Sequence, residues 1–316
     1  MGMKLVFLLF AMLALGAGCG KREKSSEAQP PPKTTTNGGS NKPELARVVP
    51  NSLEAKAAIE AAIRTSLKQP DGELNKADFG RISKLRLSNV KITDLSPLAD
   101  LKGLRMLELG GNQIADLSPL AGLEELRSLD LSENQITDLT PLEGLEKLTT
   151  LNLDNNQIAN LTPLARMKGL KMIYLGWNRI TSNQLKSLVG LKELWLLKLN
   201  DNRIEDLTPM VGMKGLRILH IPRNQIVSLK PLVGLKKIRA LTIGYNRITD
   251  LSPLAELPGL EELDLSGNQI TNLTPLIGLI ELKQLWVEDN PDLTKAECGK
   301  LQKALPVCDI THNAEK

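Results

Sequence analysis

The sequence predicts an α/β solenoid, a fold in which short units stack along one axis. Three observations predict it: a motif that returns at a fixed interval, a strand pattern within each copy, and a Pro-containing turn between copies. Aromatic residues make up only 3% of the chain, so aliphatic side chains must fill the core. The net charge of +4 shows no strong preference for nucleic acid, and we expect no nucleic-acid partner.

Each copy of the motif is fixed by an asparagine. The step is 22 residues, with one step of 24, and the positions are Asn112, Asn134, Asn156, Asn178, Asn202, Asn224, Asn246, Asn268 and Asn290. An apolar-x-apolar pair such as Leu107/Leu109 precedes each asparagine, and a further apolar residue precedes the pair. This L-x-x-L-x-L-x-x-N-x-I unit is the leucine-rich-repeat pattern. With a first copy that carries Val90 in the asparagine place, residues 85–290 contain ten repeats.

The two halves of each unit predict a strand and a helical turn. The apolar pair predicts a short strand, and an Asp-Leu-Ser/Thr-Pro-Leu segment, first seen at Asp94, predicts one turn of helix opposite it. We expect the Ser or Thr hydroxyl to cap this turn. The fold is then a leucine-rich-repeat horseshoe with a parallel concave sheet and short helical or 3-10 turns on the convex side. The asparagine row is expected to satisfy backbone groups at the corners.

Both ends of a solenoid need a cap over the exposed core. Residues 51–84 predict a helical N-terminal cap, in which Asn51 precedes a helix and Glu54 completes a capping box. The apolar face of that helix comprises Ile59, Ala62, Ile63, Ser66 and Leu67. Residues 291–316 predict a C-terminal cap and tail, with a helix from Thr294 to Leu305.

Two cysteines belong to the C-terminal cap. Cys298 shares a helical face with Leu301 and Leu305, and the segment from Leu305 to Ile310 repeats the L-x-x-L-x-L spacing. We therefore expect Cys308 in a strand of a degenerate eleventh turn. In an exported protein the two inward thiols predict a Cys298–Cys308 disulfide, with two buried free thiols as the alternative.

Repeat five departs from the pattern, because it lacks the Pro-containing segment and is two residues longer. Its segment from Thr181 to Leu188 predicts a longer helix. This break either widens the convex side locally or marks a seam left by duplication.

Residues 1–18 predict a signal peptide. Lys4 precedes an apolar run over residues 5–17, which is too short to span a bilayer. The segment that ends at Cys19 resembles a bacterial lipobox, which implies lipid attachment at Cys19, although Gly16 stands where Leu or Val is usual. An ordinary cleaved signal peptide and an uncleaved anchor are the alternatives. Residues 19–50 then comprise the lipid-anchor site and a disordered linker of Lys, Glu, Ser, Pro, Thr, Asn and Gly.

Over roughly residues 50–290 the chain resembles the bacterial internalin-like leucine-rich-repeat proteins. The 22-residue N-x-I-x-D-L-x-P-L unit and the helical cap before it carry the resemblance. Internalins are surface adhesins that bind host proteins on the concave face. A role in host invasion is not implied, because the sequence shows neither the immunoglobulin-like region expected after the repeats nor a wall-sorting motif.

Strand alternation predicts which side chains face outward on the concave sheet. Of six aromatic residues after the signal peptide, four fall at concave positions (Tyr174, Trp177, Tyr245 and Trp286), and Trp195 lies near the rim. We predict a ligand-binding surface in repeats five to eight, called here the concave patch: Met172, Tyr174, Trp177, Trp195, Leu196, Ile218, His220, Arg223 and Tyr245. Scattered surface aromatics without a role are the alternative.

Charged rows surround the concave patch. Acidic residues precede it at Glu108, Asp130, Glu133 and Asp154 and follow it at Glu262, Asp264, Glu288 and Asp289. A partner with an apolar centre and basic ends fits this arrangement. A basic row before the strands, called here the basic edge, comprises Arg105, Arg127, Lys171, Arg217, Arg239 and Lys283. It either contacts anionic lipid or polysaccharide or is ordinary solvated charge.

The sequence predicts a binding protein and no enzyme. Its two histidines are His220 and His312, and we find no nucleophile, phosphate-loop or dinucleotide motif. We expect no cofactor and no metal. The predicted function is recognition of a protein or peptide ligand through the concave face. A structural envelope component that holds anionic lipid or polysaccharide through the basic edge is the alternative. We expect export to the cell envelope, a lipid anchor in the bacterial outer membrane since Gly20 follows Cys19, and a monomer.

Overall fold

The structure is a computed structural model that describes residues 50–315. The chain divides into two units, Met1–Leu45 and Ala46–Lys316, and the described residues belong to the second. The predicted signal peptide, Cys19 and the linker up to residue 49 lie outside them. None of the helices within residues 50–315 is long and apolar enough to cross a membrane.

The repeats form one parallel sheet in which every strand pairs with its sequence neighbours. The strands are β1 (Lys84–Arg86), β2 (Met106–Glu108), β3 (Ser128–Asp130), β4 (Thr150–Asn152), β5 (Met172–Tyr174), β6 (Leu196–Lys198), β7 (Ile218–His220), β8 (Ala240–Thr242), β9 (Glu262–Asp264), β10 (Gln284–Trp286) and β11 (Asp309–Thr311). Their register is constant, so that Leu107 lies opposite Leu85 on one side and Leu129 on the other. The parallel sheet of the predicted solenoid is therefore confirmed.

The opposite side of each of the first nine repeats carries a short 3-10 helix. These helices are Ser96–Leu98, Ser118–Leu120, Thr140–Leu142, Thr162–Arg166, Ser182–Leu188, Thr208–Met210, Lys230–Leu232, Ser252–Glu256 and Thr274–Leu276. The prediction of a Ser or Thr hydroxyl as the capping group is wrong, because a carboxylate is the acceptor. The Asp94 carboxylate, two residues ahead of the turn, accepts from the Ser96 N–H at 2.8 Å, and the residue directly before the turn makes no side-chain cap. A carboxylate can reach this N–H because the residue between them bends the chain.

Aliphatic side chains fill the interior between the sheet and the 3-10 helices. Leucine and isoleucine at the repeat positions are almost completely buried, and none of the aromatic residues among residues 50–315 is in the buried class. Phe79 packs partly buried against the N-terminal end. The fold therefore does not use its Tyr and Trp side chains as core.

The asparagine row has the predicted structural role. Asn156 accepts from the Ile136 N–H at 3.0 Å and donates to the carbonyls of Leu131 and Leu153 at 2.9 and 3.1 Å. Equivalent bonds recur along the row, and all its members are buried except Asn202, which is half-buried. Each asparagine thus ties one turn of the solenoid to the turn before it.

Two helices precede the first strand: α1 (Leu53–Leu67) and α2 (Lys76–Arg81). The predicted helical cap is confirmed, but its first residue differs from the expectation. Ser52, not Asn51, caps α1 by accepting from the Ala55 N–H at 3.1 Å. Asn51 instead accepts from the backbone N–H groups of Thr93 and Asp94. It therefore ties the start of the helical cap to the first repeat, next to the corner that Asn112 serves.

The C-terminal cap contains α3 (Lys295–Ala304) and β11. Thr294 caps α3, and Cys298 lies on its buried face as predicted. The register of β11 differs from the prediction, because Ile310 rather than Cys308 pairs with Leu285. Cys308 therefore lies just before the strand and not within it.

The predicted disulfide does not form. Cys298 and Cys308 are both buried free thiols. The Cys308 thiol lies 3.8 Å from the Asp309 carbonyl, and burial raises the pKa of the Cys308 thiol to about 11. The alternative of two small hydrophobic side chains describes this pair.

Repeat five contains the longest 3-10 helix, Ser182–Leu188, with seven residues in place of the three or five found in the other repeats. Thr181 and Gln184 form a capping box at its start. The prediction of a longer helical segment is confirmed, and its extra residues lie on the side away from the sheet. They leave the register of β5 with β6 unchanged.

Candidate binding site on the concave sheet

The concave patch is built from adjacent strands and the corners that follow them. In β5 the side chain of Ile173 points into the core, whereas Met172 and Tyr174 lie on the outer face and are half-buried. In-register pairing of β5, β6 and β7 then forms two rows across these strands. Met172, Leu196 and Ile218 form one row, and Tyr174, Lys198 and His220 form the other.

Leu196 differs from its neighbours in the apolar row. It is only 4% exposed, although it does not belong to the core cluster. Met172 and Ile218 flank it in register and remain half-buried. Leu196 therefore presents almost no surface in this structure, and its contact with a ligand stays a prediction. Met172 and Ile218 present the apolar surface of this row.

Ionisable groups lie in the centre of the same face. The Lys198 ammonium is 5.2 Å from the centroid of the Tyr174 ring, a cation–π contact. Burial lowers the pKa of His220 to about 3, helped by the charge of Lys198, so this imidazole is neutral at physiological pH. Burial also lowers the pKa of Lys198 itself.

Asp154 lies beside this group, at the end of β4. Its carboxylate accepts from the Gly176 N–H at 2.6 Å. Burial raises the pKa of Asp154 to about 6, against the opposing effects of that N–H and of Lys198. The concave patch predicted from the sequence does not include Lys198, and it leaves Asp154 to the acidic flank. The in-register pairing of β5 with β6 was the available signal for Lys198.

The corner after each strand adopts a left-handed backbone. The residue just before each row asparagine has a positive φ, and glycine holds the place at Gly111 and Gly267. Trp177, Arg223 and Tyr245 occupy it at φ of 50°, 54° and 55°. Bulky side chains are uncommon in this region, where glycine, Asn and Asp are favoured. Core packing does not offset the backbone strain at Trp177, because the side chain of Trp177 is 50% exposed.

Tyr245 is held within its own corner. The Arg223 guanidinium lies 4.5 Å from the centroid of its ring, and the Tyr245 hydroxyl is 2.9 Å from the Asp289 carboxylate, to which it donates. A Cβ at Gly267 would overlap the ring, so the ring lies directly against this glycine. Arg223 and Gly267 therefore contact the ring of Tyr245, whose side chain is still exposed, and Trp177 is the more open aromatic side chain of the concave patch.

Trp195 holds a different place. It precedes β6, in the row that carries the basic edge, and it is half-buried. Its backbone carbonyl accepts from the N–H groups of Arg217 and Ile218. The rim position predicted for Trp195 follows from this placement.

The concave face is acidic on both sides of the concave patch. Within residues 50–315, Arg86 and Glu108 form the ion pair found on this face, at 3.1 Å. Asp130 and Asp264 accept instead from the backbone N–H groups of Ser132 and Ser266, both at 3.0 Å. Burial raises the pKa of Asp264. These carboxylates are thus positioned by neutral donors and carry no basic partner.

The basic edge is exposed but interrupted by acids. Glu261 forms ion pairs with Lys283 and, at 3.9 Å, with Arg239. Glu125 forms an ion pair with Lys147, and the charges of the neighbouring arginines help to lower the pKa of this carboxyl. Exposed pairs of this kind contribute little to stability, but they reduce the net positive charge of the edge.

A cluster of three or more His, Cys, Asp or Glu side chains able to hold a metal ion is not found among residues 50–315. The concave face presents one strained and exposed Trp, a short apolar row, and fixed carboxylates on both sides.

Comparison with known proteins agrees with this architecture. Family models for leucine-rich repeats match residues 81–122, 124–166, 214–270 and 258–297. No curated protein matches the chain. The class is therefore that of the leucine-rich-repeat proteins.

Solved structures narrow the class. Internalin C2 of Listeria monocytogenes is 32% identical, with 71% of this chain and 90% of that chain covered and a TM-score of 0.57. A leucine-rich-repeat protein of Leptospira interrogans is 26% identical over 74% of this chain and 62% of its own, with a TM-score of 0.67. Internalin F of Listeria monocytogenes shares the fold at 24% identity, with 86% and 95% covered and a TM-score of 0.59. The chain belongs to the internalin-like leucine-rich-repeat family of bacteria.

Proposed function

We propose that this protein is an exported cell-envelope receptor or adhesin module that binds a protein or peptide through the concave patch. Leucine-rich-repeat domains commonly bind proteins or peptides, and they are typically scaffolds without catalytic activity. To this general property the proposal adds the binding surface, which is the concave patch, and the location, which is the cell envelope.

Trp177 is the observation that carries the proposal. A left-handed residue other than glycine costs of order 1 kcal/mol, and this cost persists only where something compensates for it. Core packing does not compensate here, because half of the side chain is exposed. Trp is also the residue type most enriched among side chains that dominate binding energy. A bound partner that buries the Trp177 ring accounts for its place at the corner.

The surroundings of Trp177 suit a protein or peptide ligand. Met172 and Ile218 offer apolar surface on β5 and β7, and Tyr174 adds a ring whose hydroxyl is a polar handle. Met adapts its shape to irregular partners. Polar groups at Lys198 and His220 lie one strand apart and are able to orient a bound main chain.

Export and anchoring rest on the sequence. The signal-peptide pattern of residues 1–18 and the lipobox-like Cys19 support a lipid-anchored protein, and the linker that follows supports a head held away from the membrane. Lipid attachment at Cys19 is tested by mass analysis of the protein purified from its own membranes. A diacylated N-terminal Cys19 supports the anchor, and an unmodified terminus or an intact leader contradicts it.

The binding proposal is tested by selection from a library of random 15-residue peptides displayed on phage, using the purified full chain. Two variants are matched by backbone geometry. Trp177→Gly removes the ring at a left-handed corner that accepts glycine, and Asn89→Gly makes the same backbone change at φ of 62°, four repeats away. We expect selected peptides to lose roughly thirtyfold or more in affinity for Trp177→Gly and to bind Asn89→Gly unchanged. Peptides that bind both variants equally contradict the proposal.

The basic edge supports a second candidate, a structural role on anionic lipid or polysaccharide. The ion pairs of Glu125 and Glu261 make this candidate weaker. Salt distinguishes the two, because exposed charges are screened at about 1 M salt, whereas an apolar contact persists. Binding to anionic vesicles that disappears in high salt and is unchanged in Trp177→Gly favours a role for the basic edge.

A further inference from the structure

We propose that the segment bound by the concave patch is an extended peptide that crosses the strands, with an apolar or aromatic centre and a basic residue toward each end. The inference rests on the proposed function and names the chemistry of its partner. It is argued from the charge of the face, the rigidity of its acids, the distance between them and the cation already present at its centre.

Charge complementarity on the face is the first argument. Asp130 and Asp154 lie on β3 and just after β4, before the concave patch, and Glu262 and Asp264 lie on β9 after it. None of these four carboxylates forms an ion pair within residues 50–315. The chain as a whole carries +4, so the acidity of this face is local and opposes the average. A partner with basic groups at both ends meets unpaired charge on both sides.

The acids are also fixed in position before any ligand arrives. Oδ1 of Asp130, Asp154 and Asp264 accepts from a backbone N–H in each case, at 3.0, 2.6 and 3.0 Å. Burial raises the pKa of both Asp154 and Asp264. A cationic group of the partner beside these carboxylates offsets the cost of burying their charge. Because the carboxylates are already held in place, little of their side-chain entropy is lost on binding.

Distance across the sheet sets the spacing of the basic residues. Six strand intervals separate β3 from β9, which at about 4.8 Å per interval gives roughly 29 Å. From Asp154, at the end of β4, five intervals give roughly 24 Å. An extended chain advances about 3.3 Å per residue, so the two basic residues lie roughly seven to nine residues apart.

The centre of the face disfavours a third cation. The Lys198 ammonium already lies over the Tyr174 ring, and Arg223 over the Tyr245 ring. A Lys or Arg of the partner placed between the acidic flanks meets these like charges. An apolar or aromatic residue instead meets Met172, Ile218 and the exposed Trp177 ring. The face therefore specifies the order of residues in the partner as well as their type.

The composition of the selected peptides tests this order. From the random 15-residue library we expect wild-type binders to be enriched in pairs of Lys or Arg separated by about seven to nine residues, with apolar or aromatic residues between them. Peptides that depend on Trp177 yet show no enrichment of basic residues overturn the inference and leave the proposed function standing. Absence of any peptide that depends on Trp177 overturns both.

A charge-neutralising variant supplies the direct measurement. Asp130→Asn, Asp154→Asn and Asp264→Asn together keep Oδ1 and its bond from the backbone. The matched control neutralises three convex acids, Asp116→Asn, Asp138→Asn and Asp250→Asn, at places where other repeats carry Asn160 and Asn272. We expect the concave triple variant to weaken the selected peptides about tenfold at low salt, and the convex control to leave them unchanged. Equal affinities for both triple variants, each with the circular dichroism of the wild type, overturn the inference.

Discussion

Replacement of one buried asparagine should destabilise the whole solenoid. Asn156→Ala removes an acceptor for the Ile136 N–H and a donor to the carbonyls of Leu131 and Leu153. The side chain of Asn156 is buried, so the Ile136 N–H loses its partner in a place that water does not reach easily.

The magnitude follows from the unpaired groups. A buried backbone donor left unsatisfied costs about 1–3 kcal/mol, and Asn156→Ala leaves the Ile136 N–H in that state. The carbonyls of Leu131 and Leu153 each lose one of two side-chain amide donors and keep the other, from Asn134 and Asn178, at about 1 kcal/mol per lost bond. We expect the free energy of unfolding to fall by about 3 kcal/mol. Asn202 makes the same kinds of bond, to the Ile180 N–H and the Leu175 carbonyl, but is half-buried. Asn202→Ala should cost only about 1 kcal/mol, since water replaces the lost partners.

Urea denaturation followed by circular dichroism measures both values, with the slope checked for a change in cooperativity. The reasoning is refuted if Asn156→Ala costs less than about 1 kcal/mol, or if Asn202→Ala costs as much as Asn156→Ala. Either result would mean that the asparagine row does not stabilise the corners through its hydrogen bonds.

Three further predictions concern single sites. The folded-state pKa of Asp154 is raised, so its charge destabilises the fold as pH rises through about 6. Asp154→Asn should therefore raise the free energy of unfolding at pH 7 by up to about 3 kcal/mol. In urea titrations the difference from the wild type should disappear near pH 4. Gly267→Ala should cost about 2 kcal/mol by the same assay, because a Cβ at φ of 65° overlaps the Tyr245 ring; no loss would place the ring elsewhere. Cys298 and Cys308 should resist a thiol reagent until urea unfolds the chain, as read by peptide mass analysis, because both are buried and burial raises the pKa of each thiol; fast labelling of the native chain would contradict their burial.

The repeated pattern was enough to predict most of the fold. A fixed interval with L-x-L and asparagine in register determines strand direction, pairing and the buried row, because each unit must match its neighbours. The two ends were harder to predict, because a cap stacks against only one repeat and the repeat pattern does not determine its register. The last turn is longer than 22 residues, because Leu285 pairs with a residue 25 positions on, and this moves Ile310 into the place expected for Cys308. Asn51 bonds to the first repeat over 42 positions, and local helix signals do not report so distant a contact.

The candidate site was predictable in position and less so in detail. Alternation along β5 gives the outward direction of Tyr174, but not the burial of Leu196 between Met172 and Ile218. The left-handed corner at Trp177 is set by the stacking of turns rather than by the preference of the residue itself. The stacked ring of Tyr245 depends on Gly267, which is 22 residues away and is recognised only once the repeats are superposed.

The most direct test of the account measures stability and binding on one variant. In Trp177→Gly, relief of backbone strain and loss of half-buried ring surface roughly offset each other, so we expect the free energy of unfolding to change by less than about 1 kcal/mol. We expect the same variant to lose roughly thirtyfold or more in affinity for a peptide selected on the wild type. A loss of about 3 kcal/mol or more in stability with unchanged affinity would show that Trp177 serves the fold, and would contradict a binding role for the concave patch.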